Sequence, residues 1–180
     1  MFLNLRGYHG TSKEAYYEIK KHGFKNTHRN DHWLGQGIYF FQDDLDKAEW
    51  FSTQCKSVKY GKGVPCVIKA VIKVEEKRFL NMCSSNGFQK FEKAYEEFKK
   101  NIYKFRINIK FENNDAIKNE IVCVIYDNIE NIDVISNVFP NDSYISHLNK
   151  GICTKGLIVS RHTQLCVKKL SCIKNISIVK

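Results

Sequence analysis

Residues 2–14, Phe2-Leu3-Asn4-Leu5-Arg6-Gly7-Tyr8-His9-Gly10-Thr11-Ser12-Lys13-Glu14, pass from alternating apolar positions to a helix start within a few residues. Residues 2–8 read as a short strand running into His9-Gly10-Thr11-Ser12. A helix follows at once: Thr11-x-x-Glu14 has the capping-box spacing, Ala15, Tyr16 and Ile19 share a face, and Lys20-Lys21-His22 suit the negative helix end. Gly23-Phe24 supplies a left-handed stop with its apolar contact. Working outward, residues 25–33 are polar loop, and Leu34-Gly35-Gln36-Gly37-Ile38-Tyr39-Phe40-Phe41 reads as a short glycine-flanked strand. Asp43-Asp44 then cap a second helix, with Leu45, Ala48, Phe51 and Cys55 on its inner stripe.

Further along, Val64 to Val74 is β-branched and nearly continuous, the pattern of a buried strand, and Phe79 to Met82 continue or flank it. Phe88, Phe91, Tyr95, Phe98, Ile102 and Phe105 recur at three and four residues, which predicts an amphipathic helix over 88–105 packed on the core. Residues 115–129 fit a helix or a strand. The last 25 residues offer three strand-like pieces, Leu157–Val159, Gln164–Val167 and Ile176–Val179. With 180 residues, no internal repeat and no Pro-, Gly- or Ser-rich linker, residues 1–180 read as a single α+β domain in which sheet pieces from both ends meet.

Composition narrows the function classes. Hydrophobic residues make up 43%, with 12 Phe and 9 Tyr, enough for a packed core and too many for a disordered chain. No apolar run approaches the ~20 residues of a membrane span, and the first six residues do not make a secretion signal. The expected location is therefore cytoplasmic, with no membrane partner. Seven scattered cysteines, odd in number and without Cys-x-x-Cys, encode neither a disulfide framework nor a zinc knuckle. The net charge of +10 is uneven: residues 113–142 carry one Lys against six acids, whereas residues 143–180 carry seven basic residues and no acid. A basic C-terminal segment attracts phosphates, and no reaction that needs a carboxylate can take one from there.

Two glycine-bearing segments sit at strand ends where backbone can approach a ligand. In order and spacing, Tyr8-His9-Gly10-Thr11 and Leu34-Gly-Gln-Gly-Ile-Tyr39-Phe40 resemble the first two motifs of the ADP-ribosyltransferase superfamily, in the His-Tyr-Glu branch of the poly(ADP-ribose) polymerases and diphtheria-toxin-like enzymes. The likeness is strong over residues 6–52, faint over 64–74 and absent from about 83 to 150. It implies split antiparallel β-sheets with flanking helices around an NAD cleft, NAD+ as co-substrate and no metal. It also implies that Gly10 grips the nicotinamide carboxamide, that His9 bonds the adenosine-side ribose, and that Tyr39 and Trp50 stack on the nicotinamide, with Thr11 or Ser12 helping at the carboxamide. Stacking of this kind contributes about 0.5–1.5 kcal/mol per aromatic pair beyond area burial.

The third motif departs from the family. Its Glu, at the start of a late strand, holds the nicotinamide-ribose 2′-hydroxyl and steadies the oxocarbenium-like charge. The matching segment here is Thr163-Gln164-Leu165-Cys166-Val167, so Gln164 takes the Glu place, and no acid follows Asp142. An amide oxygen can accept from a ribose hydroxyl but brings no charge. This points to single transfer rather than polymer elongation. The catalytic set is thus His9, Tyr39 and Gln164, and the NAD+-binding set His9, Gly10, Thr11, Tyr39 and Trp50. His28 and His32 have ligand-like spacing with nothing to complete a zinc site. Cys153 and His162 could suggest a thiol nucleophile, but nothing in the sequence orients them. Lys150, Lys155, Arg161, Lys168, Lys169 and Lys174 form a solvated face or hold a phosphate backbone. The expectation is a mono-ADP-ribosyltransferase acting on a macromolecule, nucleic acid (RNA or DNA) ahead of protein, resembling compact bacterial toxin or phage-defence transferases and open to a neutralising antitoxin partner. The alternatives are an NAD+ glycohydrolase and a non-catalytic NAD- or ADP-ribose-binding module.

Overall fold

The computed structural model describes residues 1–26, 28–29, 32–104, 115–140 and 161–179. The fold is α+β. Strand β1 (Phe2–Ser12) leads into helix α1 (Lys13–His22), strand β2 (Ile38–Gln42), helix α2 (Leu45–Gln54) and the single turn α3 (Lys56–Lys59). Strand β3 (Pro65–Glu75), strand β4 (Phe79–Asn81), helices α4 (Ser85–Lys104) and α5 (Asp115–Asp127), and strands β5 (Val134–Pro140), β6 (Arg161–Val167) and β7 (Ile173–Ile178) complete it. The strands hydrogen-bond in the order β4-β5-β6-β2-β1-β3-β7, antiparallel except for the β4–β5 pair. The expected split sheets are therefore joined into one mixed sheet.

The join is narrow. β1 pairs with β3 along its whole length, from Phe2 opposite Glu75 to Ser12 opposite Pro65. With β2 it pairs only at Gly7–Gln42 and Tyr8–Phe41. The sheet bends at this junction. On the inner face Ala70, Ile72 and Val74 of β3 pack with Phe40 of β2, Val134 of β5 and Leu165 and Val167 of β6. The main core thus lies between two halves of one sheet folded over on itself, which is what the nearly continuous apolar run in β3 requires.

Local chemistry explains the helix positions. Ser12 caps α1, its hydroxyl accepting from Ala15 N–H at 3.4 Å, and Gly23 ends the helix at φ 78° with its N–H on the Ile19 carbonyl. The cap falls one residue later than Thr11, because β1 runs on to Ser12. Asp44 caps α2 through Lys47 N–H at 2.9 Å. α4 covers the expected span as far as Lys104, but its stripe is only partly covered: Phe91 meets Tyr126 of α5 at 4.8 Å between centroids, while Phe88 is 52% and Tyr95 41% exposed. Residues 115–127 are helix. Strand β5, unanticipated in the sequence, inserts between β4 and β6. Leu157–Val159 and Phe105 lie outside the described residues. None of the described helices is long and apolar enough to cross a membrane.

Candidate functional site

The three motifs, up to 155 residues apart in sequence, occupy adjacent strands: His9 and Gly10 on β1, Tyr39 on β2 and Gln164 on β6. They gather where the β1–β2 ladder stops. The Val67 carbonyl accepts from Val179 N–H, so Val67 turns its backbone groups toward β7 and away from its β1 partner Gly10. By the alternation of an antiparallel ladder, the N–H and C=O of Gly10 then face β2, beyond the last β1–β2 pair. The Gly10 carbonyl meets the weak donor Cys55 Sγ at 3.8 Å, and a peptide donor and acceptor side by side beyond the ladder are the complement of a primary carboxamide.

His9 spans the same gap. Its Nδ1–H donates to the Tyr39 carbonyl at 2.8 Å, and its ring packs against Phe24 and Phe40 at 5.4 and 5.6 Å between centroids. Burial holds the imidazole pKa below its ordinary value, against the pull of the Tyr39 carbonyl. The neutral ring with its proton on Nδ1 leaves the lone pair on Nε2, an acceptor suited to a ribose hydroxyl.

Gly10 and Thr11 are both closely packed. A Cβ on Gly10 would sit less than 3.0 Å from the Ala48 carbonyl oxygen and Ser52 nitrogen, so the bare Cα of this glycine admits α2 against the sheet. Thr11 is buried at 8% exposure, and with Ser12 capping α1 the Thr11 hydroxyl is not occupied by the helix.

Tyr39 is a clamp. Its hydroxyl accepts from Trp33 N–H at 3.2 Å and Leu34 N–H at 2.8 Å and donates to the Gly35 carbonyl at 2.9 Å. Burial raises its pKa far above the ordinary range, so it stays protonated. Its ring lies 4.5 Å from His32 and 6.4 Å from Trp33 between centroids. The clamped loop is held at its other end by Gln36 N–H on the Asp127 carboxylate (2.9 Å), with Gly35 at φ 86°. The Cys166 thiol reaches the Gly35 carbonyl, and burial pushes its pKa up to about 12. Trp50 is not brought to this ring: it is 55% exposed on α2, with the Lys47 ammonium 4.3 Å from its centroid. Its neighbour Phe51, 41% exposed, is the ring that meets Phe41, at 5.8 Å between centroids.

Gln164 lies opposite Phe41 of β2 and Asn137 of β5 and is 7% exposed. The Trp33 indole Nε1–H donates to its Oε1 at 3.0 Å, and its Nε2–H donates to His162 Nε2 at 2.8 Å. His162 in turn packs between Phe41 and Phe139 at 5.5 and 6.0 Å. The sequence did not mark Trp33 or His162 for this role. Strand alternation puts His162 on the Gln164 face, which was a readable signal, but contact across 131 residues to a loop tryptophan was not. The side chains also divide between faces: Tyr39 and Gln164 share the outer face with Phe41, while His9 sits with Phe40 on the inner one.

Among the described basic C-terminal residues, Lys168 and Lys169 are drawn to acidic groups. Lys168 Nζ donates to the Tyr126 and Asp127 carbonyls at 3.1 and 3.2 Å and lies 3.7 Å from the Asp127 carboxylate, neutralising the negative end of α5. Lys169 approaches Asp133 at 4.0 Å, and Arg161 and Lys174 are exposed. Lys150, Lys155 and Cys153 lie outside the described residues, and His28 is exposed in its loop. Among the described residues no three His, Cys, Asp or Glu side chains gather as metal ligands would. Comparison with protein-family models, curated proteins and solved structures gave no match.

Proposed function

We propose that this protein is a mono-ADP-ribosyltransferase that cleaves NAD+ between nicotinamide and ribose and passes ADP-ribose to a macromolecular acceptor, nucleic acid ahead of protein. The observation that carries the reading is the Gly10 peptide, which lies beyond the last β1–β2 ladder pair with its N–H and C=O facing the gap and its carbonyl met by the weak donor Cys55 Sγ at 3.8 Å, next to His9 and two strands from Gln164. The Gly10 peptide takes the nicotinamide carboxamide. His9 Nε2, on the inner face, accepts from the adenosine-side ribose hydroxyl, and Gln164 Oε1, on the outer face, accepts from the nicotinamide-ribose hydroxyl as the glycosidic bond lengthens, so NAD+ must pass through the gap between β1 and β2 to reach both. The electron pair of that bond leaves with nicotinamide, and the acceptor nucleophile attacks the ribose carbon and releases its proton to solvent. With a neutral amide in place of a carboxylate, stabilisation of the developing cation comes from oriented dipoles rather than charge. Phe51 and Phe41, rather than Trp50, supply aromatic surface beside Gln164.

The test is incubation with NAD+ labelled in its adenylate phosphate, followed by separation of RNA, DNA, protein and small molecules. Label in a macromolecular fraction, RNA or DNA first, is the expected result. Label only as free ADP-ribose identifies a glycohydrolase. No turnover with measurable NAD+ binding identifies a binding module.

A further inference from the structure

We propose that Trp33 and His162 are the positioning residues of this site: they hold the Gln164 amide from its two ends and fix which end meets the substrate. The proposal rests on the transferase reading for its catalytic consequence, but not for the geometry. An indole N–H can only donate, so the end of Gln164 at 3.0 Å from Trp33 Nε1 is the oxygen. The amide nitrogen then faces His162 Nε2 at 2.8 Å, and because that nitrogen can only donate, His162 must accept. His162 is therefore neutral, with its proton on Nδ1. One donor-only ring thus dictates both the orientation of a buried amide and the tautomer of a buried histidine.

The consequence is chemical. Oε1 carries two lone pairs, of which Trp33 engages one, so the second is directed to accept from a ribose hydroxyl. A glutamine free to flip would present its NH2 to the substrate half the time and oppose the developing cation. Trp33 is also the side chain through which the Tyr39 clamp reaches the reaction, since the Tyr39 hydroxyl holds the Trp33 backbone and the Trp33 indole holds Gln164. A carboxylate needs no such restraint, because both its oxygens accept. The pair is what a glutamine at this position requires.

The experiment is NMR of 15N-labelled protein together with NAD+ kinetics. The Gln164 side-chain amide pair is assigned as the one missing from the Gln164→Ala spectrum. In Trp33→Phe, which keeps an aromatic ring and loses the N–H, that pair is expected to shift or broaden. The kcat for NAD+ cleavage should drop roughly 3- to 10-fold, the scale of one hydrogen bond, with KM changed less than about twofold. His162→Gln, which restores an acceptor, should keep more activity than His162→Ala, and Trp33→Phe carries the test if His162→Ala does not fold. Unchanged Gln164 amide resonances and unchanged kcat in Trp33→Phe would overturn the proposal. If the wild-type protein turns over no NAD+, the transferase reading fails, and the amide resonances still decide the positioning claim.

Discussion

Gln164 lies between an indole that only donates and an imidazole that must accept, so a carboxylate at this position changes its neighbours as well as itself. In Gln164→Glu the indole keeps its acceptor, but the second oxygen can meet His162 Nε2 only if that nitrogen carries a proton. His162 is then expected to carry a proton on Nε2, as the other neutral tautomer or as imidazolium, visible in its ring 15N shifts, and NAD+ cleavage should persist with charge restored at the cation. An Nε2 still without a proton in that variant would contradict the Gln164–His162 contact. His9 makes the opposite case, a histidine kept neutral by burial between Phe24 and Phe40. Its folded pKa is depressed, so its linkage to folding is absent above about pH 6.5. As pH falls below that value, the unfolded chain takes up a proton that the folded chain refuses, and stability is lost. Midpoints of wild type should therefore fall between about pH 6.5 and 5 more steeply than those of His9→Asn. The packing of His9 predicts that His9→Ala costs roughly 1–3 kcal/mol besides lowering turnover, read by denaturant titration alongside kinetics.

At the scale of elements, the loop 33–35 owes its position to one hydroxyl. Tyr39→Phe removes two acceptor contacts and one donor contact while keeping the ring. The amides of Trp33 and Leu34 should lose their protection from hydrogen exchange, with a cost of about 1–3 kcal/mol. Wild-type protection at those two amides in Tyr39→Phe would show that the loop is held by Asp127 and Cys166 alone. How far such elements could be read from sequence depended on whether their signal was local. α1 and α2 were legible from caps and apolar stripes, and β3 from a β-branched run, because propensity and burial agreed there. The α1 cap was placed one residue early because strand pairing with β3, a long-range contact, carries β1 through Thr11. β5 was missed: Val134, Ile135, Val138 and Phe139 lack a clean alternation, and the strand is set by pairing with β6 over its full length. Trp50 was expected at the site by distance along the chain. The helix phase that buries Ala48 and Ser52 turns Phe51 toward Phe41 and leaves Trp50 outside. The glycines, His9 and Gln164 were identifiable by type and order, whereas Trp33 and His162 emerge only from contacts across the sheet.

For the molecule as a whole, folding the sheet over on itself brings β4 and β5 against the rest, and one ion pair ties that end. Arg78 Nε and Nη2 bind the two Asp133 oxygens at 2.6 and 2.7 Å, the carboxylate being 9% exposed. These bonds hold the Asp133 pKa below the usual carboxylate range. The contribution is complete above about pH 3.9 and is lost as pH falls from there through the folded value. Asp133→Asn should therefore lower stability by roughly 2–3 kcal/mol at neutral pH, a fall of several degrees in Tm, and flatten the acid limb of the stability curve. An unchanged acid limb would place the acid sensitivity on other carboxylates. The same fold leaves Gly10 facing a gap and Gln164 two strands away, and the central claim is that this arrangement cleaves NAD+. The most direct measurement is the release of nicotinamide from NAD+ by purified wild-type protein and by Gln164→Ala. Release by the wild type, reduced about 30- to 1000-fold in the variant for a loss of ~2–4 kcal/mol of transition-state stabilisation, is the predicted result. No release by the wild type, or equal release by both proteins, would contradict it.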